Sequence, residues 1–170
     1  MYGFTLPPFS DIRSGEAAFL WTTEAFMASE QPLFTLRPAT TKDLPAIDVV
    51  ADPEGMGPMP SADHITVAVN ADDEVVGFLR LQEADGLWHV NPVAVYPTWR
   101  RFGVGQALMG DALAKTGELG LVARGPSVPF YEALGYDKVA WGQVGAAVAA
   151  ECGGCPVREQ CHPQPMRKRA

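Results

Sequence analysis

Apolar residues recur along this chain at two spacings, alternate positions in short runs and three-to-four apart in longer ones, so strands and helices are both expected. "LFTLRPAT" (33 to 40) predicts a strand, and Thr40 followed three residues later by Asp43 predicts a capped short helix reaching about Val50. "ADPEGMGPMPSAD" (51 to 63) is too rich in Gly and Pro for regular structure and predicts a loop. "HITVAVN" (64 to 70) and "EVVGFLRLQE" (74 to 83) predict a hairpin, which "GLWHVNPVAVY" (86 to 96) extends into a meander. From Gly103 the apolar positions Val104, Ala107, Leu108 and Ala112 take helical spacing to about Thr116. "LGLVAR" (119 to 124) then predicts a buried strand, "VPFYEALGY" (128 to 136) a short helix ended by Gly135, and "DKVAW" (137 to 141) a last strand. Residues 1 to 33, with prolines at 7 and 8 and a helical pattern from about Ser14 to Ala28, read as an extension.

A length of 170 residues suits one domain with a single sizeable core. The first residues carry no basic leader pattern, and the apolar stretch "AAFLWTTEAFM" is broken by Glu24 and too short to span a bilayer, so a soluble, cytoplasmic protein with no membrane partner is expected. The net charge of −7 is concentrated: residues 41 to 85 hold ten acids against two bases, Lys42 and Arg80. That field disfavours nucleic acid and favours cationic ligands, although a solvated acidic face reads equally well. The closing "MRKRA" reverses the sign and reads as a frayed, soluble end.

The most informative stretch is "VAVYPTWRRFGVGQALM" (93 to 109), an apolar strand, a proline, a glycine-punctuated turn and a helix. Without side chains at Gly103 and Gly105, successive amides can converge on one point, and they are also the unpaired donors of a helix N-terminus. Such a place binds phosphate. An isolated G-x-G more often merely connects two elements; here strand, proline, turn and helix all occur in order. The pattern is neither a Walker A loop nor the G-x-G-x-x-G dinucleotide fingerprint.

This stretch resembles the coenzyme A signature of the GNAT superfamily of acetyltransferases, "FYEALGY" (130 to 136) resembles its second landmark, and "FTLRPATTKDLPAI" (34 to 47) its opening strand and helix. The similarity covers about residues 34 to 142, leaving 1 to 33 as an extension and 143 to 170 as a cysteine-rich tail. It implies an α/β fold with a mixed sheet of about six to seven strands flanked by helices, in which parallel strands four and five splay apart to admit acetyl-CoA. On the matching positions, the backbone of Val93, Ala94 and Val95 would meet the pantetheine. Arg100, Arg101, Phe102, Gly103, Val104, Gly105 and Gln106 would hold the pyrophosphate. From the residues alone, Pro92 supports the splay, because a proline cannot donate within a central ladder and needs a bulge or an unpaired stretch.

Acetyl transfer to an amine requires a base for the ammonium, polarisation of the thioester and a proton for the leaving thiolate. Tyr131 stands where the resemblance places a general acid. By the alternation rule His89 shares a face with Asn91, Val93 and Val95, and it matches the position of a glutamate base in histone-acetylating relatives. An imidazole titrating near 6.5 suits that task, a structural histidine is the other reading, and Glu83 or a water chain are further candidates for the base. Met56 and Met59 in the first loop would line the mouth for the acceptor, a small-molecule or protein amine.

All three cysteines lie in "ECGGCPVREQCHP" (151 to 163). Cys152, Cys155, Cys161 and His162 could hold zinc or an iron–sulfur cluster; free thiols and a Cys152–Cys155 redox pair stay open. The expected function is acetyl-CoA-dependent N-acetyl transfer by direct attack in a ternary complex. The competing reading is a non-catalytic CoA-binding or metal- and redox-sensing protein. A homodimer is compatible with either, and a nucleic-acid-binding module is disfavoured by the acidic body.

Overall fold

The computed structural model describes residues 32–170. The helix expected at about 14 to 28 lies outside the described residues. A seven-stranded mixed sheet forms the centre: β1 (Thr35–Pro38), β2 (Ile65–Val69), β3 (Val75–Ala84) and β4 (Leu87–Val95) run as an antiparallel meander. β5 (Glu118–Ala123) lies parallel to β4, and β7 (Gln164–Arg169) is inserted antiparallel between β5 and the two-residue β6 (Asp137–Lys138). Two helices cover the faces, α1 (Leu44–Ala51) and α2 (Val104–Thr116), while α3 (Val128–Ala133), α4 (Ala146–Gly153) and α5 (Arg158–Cys161) decorate the C-terminal half. This is the mixed α/β class, with a sheet of six to seven strands, that the resemblance implies.

Strand alternation sorts the core into two. Val76, Leu79 and Val90 pack with Val104, Leu108 and Met109 on the α2 side, and Val67, Val69 and Phe78 pack with Ile47 and Val50 on the α1 side. The entry to α1 is fixed by Asp43, whose carboxylate accepts hydrogen bonds from Thr40 N–H (2.7 Å) and Oγ1 (2.9 Å) and forms a two-pronged pair with Arg37 (2.9 Å each). Arg37 beside it holds this nearly buried carboxyl well below the ordinary carboxylate range. The hairpin joining β2 to β3 is closed by Asn70 Oδ1, which accepts from the amides of Asp72 and Glu74.

The C-terminal end differs most from the sequence expectation. The strand predicted over 137 to 141 is confined to Asp137–Lys138, and the basic end is no frayed terminus but β7, in register with β5 from Glu118↔Arg169 to Ala123↔Gln164. Met166 supplies the buried side chain, Arg167 and Arg169 pair with Glu118, and Lys168 reaches the Leu134 carbonyl beside the Tyr136 ring. Charge along β7 misleads because long basic side chains bury their stems while their heads find partners. Residues 143 to 170 are therefore tied into the sheet rather than hanging from it.

Candidate functional site

β4 and β5 pair at a single position, His89↔Gly120, and then diverge. The divergence follows from β4's own sequence. Between Leu79↔Val93 and Leu81↔Val90 the register slips, so Asn91 and Pro92 form a bulge where the proline has no N–H to give. Beyond it, Val93 to Val95 keep their bonds to β3 on one edge only. Tyr96 N–H donates to the Val76 carbonyl (2.8 Å), which by alternation turns the polar groups of Val95 and Val93 toward the opposite, open edge. Arg100 Nε already uses one of them, bonding to the Val95 carbonyl at 3.2 Å.

The opening is a cleft of 610 Å³ lined by Val93, Ala94 and Val95, by Arg100, Arg101 and Gly103 to Gln106, and from the far side by Ser127, Phe130 and Tyr131. Of the residues expected to hold a pyrophosphate, only Phe102 lies outside this lining, exposed beside Trp99. The turn is held in left-handed backbone at Arg101 (φ +69°) and Gly103 (φ +82°). Among the described residues, the last backbone hydrogen bond before α2 is donated by Arg100 N–H to Pro97, and the next by Ala107 N–H to Gly103. The amides of residues 101 to 106 thus have no backbone acceptor. A helix start ordinarily leaves about four such donors, so this turn adds to them. Unpartnered amides, a helix N-terminus and two arginines make this turn chemically suited to a diphosphate.

The family model for the acetyltransferase (GNAT) domain matches residues 61–138, from β2 through the cradle to β6. Over this stretch the chain is similar to GNAT acetyltransferase domains. Among solved structures, N-acetylglutamate synthase from Neisseria gonorrhoeae, in complex with coenzyme A and N-acetyl-glutamate, is 13% identical with a TM-score of 0.69, over 82% of this chain and 36% of that one. This chain therefore spans about a third of that enzyme's length. Rv2747 from Mycobacterium tuberculosis, solved with CoA, is 20% identical with a TM-score of 0.67, over 80% and 99%. Ard1 from Thermoplasma volcanium is 19% identical with a TM-score of 0.62, over 81% and 98%. These likenesses establish a shared fold. No curated protein compared with the chain matches it.

Tyr131 lines the far side of the cleft. It is buried within α3, its ring edge-on to those of Phe130 and Tyr136, and its hydroxyl makes no hydrogen bond among the described residues. Burial pushes its phenol up to about 12.

His89 is not placed for base chemistry. The bulge at Asn91–Pro92 reverses the alternation, so His89 falls on the opposite face from Val93 and Val95, outside the cleft lining. It is fully enclosed, its Nε2 accepting from the Gly145 amide at 3.0 Å. Gly120 and Gly145 make the room: a Cβ at Gly120 would sit 2.8 Å from the imidazole, and one at Gly145 would sit 2.5 Å from the Ala84 methyl. Burial lowers the His89 pKa below its ordinary 6.5 and keeps the ring neutral. The unfolded chain takes up this proton below about 6.5 while the folded one resists. The stability His89 contributes is therefore full above that value and lost as pH falls through the depressed folded pKa. Thermal unfolding followed from about pH 8 to about pH 5 is expected to show this loss. His89→Gln, whose amide oxygen can still accept from Gly145, should flatten it; an unchanged slope would contradict the assignment.

The first loop contributes a different residue from those expected. Met56 and Met59 pack against the α1-side core, and Glu54 reaches the cleft, paired with Arg100 and lying 3.9 Å from Arg124 at the end of β5. Glu83 pairs across from Trp88 and is exposed, away from the cleft. Among the described residues no group of three or more His, Cys, Asp or Glu side chains is arranged to hold a metal ion. Cys152, Cys155 and Cys161 are free thiols, and His162 sits in a left-handed turn ending α5, so the expected four-ligand set is not assembled. Burial raises the Cys152 thiol above its ordinary value, which favours the protonated form at neutral pH. No described helix is long and apolar enough to cross a membrane.

Proposed function

We propose that the protein is an acetyl-CoA-dependent N-acetyltransferase in which an amine attacks the thioester directly within a ternary complex. The observation that carries this reading is the run of unpartnered amides from 101 to 106 at the head of a cleft opened by the bulge in β4. The residues present fit the cosubstrate. The cradle offers main-chain donors and arginines for the diphosphate, and the free edge of Val93 and Val95 offers donors and acceptors for the amide-bearing pantetheine arm. The apolar side chains of the lining, Val93, Val95, Phe130 and Tyr131 among them, suit the acyl group. Neighbours in complex with CoA share the fold and so support the same reading.

The chemistry balances without a covalent enzyme intermediate. The acceptor enters as an ammonium and gives up one proton to solvent water, and its lone pair forms the C–N bond at the thioester carbon. The C–S bond then breaks, and the second nitrogen proton is released as the thiolate is protonated. Tyr131, protonated at any physiological pH, donates a hydrogen bond to the departing sulfur. Because a thiol ordinarily titrates near 8.5, a phenol near 12 is the weaker acid, which favours a hydrogen-bonding over a proton-transferring role.

Titration calorimetry with acetyl-CoA and CoA, followed by thiol release across an amine panel, tests the proposal. Saturable heat and amine-dependent release are expected. Heat without release to any amine would favour the CoA-binding sensor; no heat would refute both.

A further inference from the structure

Leu79 and Leu81 of β3 pack on the α2 side and Phe78 on the α1 side, so Arg80 projects on the α1 side, across from Ile65 in the neighbouring strand. There it is half-buried, with Nη1 bonded to the Asn91 carbonyl at 3.2 Å. Arg37, Arg100, Arg124, Arg167 and Arg169 each lie within 4.0 Å of a carboxylate; Arg80, like Arg101 and Arg158, has none among the described residues. A partly desolvated guanidinium without a counter-ion is poised for an anion that arrives from outside.

The same asparagine carries the opposite charge on its other end. Asn91 Nδ2 donates to Glu151 Oε2 at 3.0 Å and to Gln82 Oε1 at 2.9 Å. Glu151 is exposed on α4, the segment that crosses this face of the sheet. α4 is tied to β4 through the Gly145 amide and His89, and the end of α5 comes close to the chain just after β5, where a Cβ built on Gly125 would lie 3.1 Å from the Cys161 carbonyl. Asn91, with a cation on its carbonyl and a carboxylate on its amide, therefore stands two residues before Val93, which lines the cleft.

We infer that the acceptor is a free α-amino acid or a closely similar zwitterion, its carboxylate received by Arg80 and its ammonium by Glu151 beside the thioester. The inference rests on the acetyl-transfer reading. A cation and an anion held around one residue match a ligand whose own charges are separated by a single carbon. A simple alkylamine would leave Arg80 without a counter-ion, and a peptide N-terminus would present a neutral carbonyl to it.

The test is thiol release from acetyl-CoA with free amino acids, their α-amides and the corresponding decarboxylated amines, with calorimetry of acetyl-CoA binding alongside. Amino acids should exceed both analogues at least about tenfold in kcat/KM. Arg80→Gln should lower kcat/KM for the amino acid by about ten- to a hundredfold, with Arg80→Lys recovering part. It should erase the preference over the amide while acetyl-CoA affinity stays unchanged. Glu151→Gln should raise KM for the amino acid at unaltered acetyl-CoA affinity. Equal use of amides or amines, a preference that survives Arg80→Gln, or acetyl-CoA binding with no amino acid accepted would overturn the inference and leave acetyl transfer to another amine standing. Failure to bind acetyl-CoA would remove both.

Discussion

Replacing Gly103 and Gly105 together by valine is expected to weaken acetyl-CoA binding by about 10²- to 10⁴-fold while the protein stays folded. The two positions act differently. At Gly103 nothing lies within 4 Å of an added Cβ, so the cost is in the backbone: φ is +82°, where a β-branched residue is strained. Relieving that strain rotates the flanking peptides and turns their amides away from the common point. At Gly105 the backbone is helical, and the obstacle is space, since a Cβ meets Phe130 Cζ at 3.3 Å and Val95 Cγ2 at 3.7 Å. A valine there pushes Phe130 aside and narrows the cleft. Loss of two hydrogen bonds to a charged ligand, each worth about 1.5–3 kcal/mol, gives the stated range. Calorimetry on a variant with unchanged circular dichroism measures it, and a loss below tenfold would mean that the cradle does not hold the diphosphate.

Tyr131→Phe is expected to cut kcat by about 10²-fold and to leave acetyl-CoA affinity within a factor of a few. The substitution keeps the ring, and with it the edge contacts to Phe130 and Tyr136, and removes only a hydroxyl that has no partner among the described residues. Such a hydroxyl contributes when the sulfur acquires negative charge, which is the signature of an interaction made in the transition state. The pH profile adds a second readout. With the phenol pushed up to about 12, the donor form persists as pH rises past 10, so the wild-type rate should show no alkaline loss near the ordinary tyrosine value. An alkaline limb near 10 that disappears in Tyr131→Phe, or an unchanged kcat, would contradict this role.

The cradle was legible because everything that forms it is local. A strand, a proline, two glycines and a helix within seventeen residues define the backbone path, and no distant residue is needed to place the amides. The meander of β2, β3 and β4 was legible for a similar reason, since short turns bring neighbouring runs together. His89 was misplaced because alternation was carried across Asn91–Pro92, and one extra residue in a strand exchanges its faces. Pro92 had signalled a bulge, yet its effect on parity depends on pairing with β3. Arg80 and Glu151 left no mark at all: they lie on different elements far apart in sequence, and only the sheet brings both to Asn91. The cysteines misled in the opposite sense, because ligand-like spacing is local whereas closure of a coordination shell is not.

The strand order carries a consequence for biogenesis. β5, one lip of the cleft, meets β4 at one position and is otherwise paired along its whole length with β7, which lies about forty to fifty residues later in the chain. During synthesis the β1–β4 meander can assemble from what has already emerged, but the far lip acquires its partner only when residues 164 to 169 leave the ribosome. The cradle is translated early, and the groove it serves is completed late.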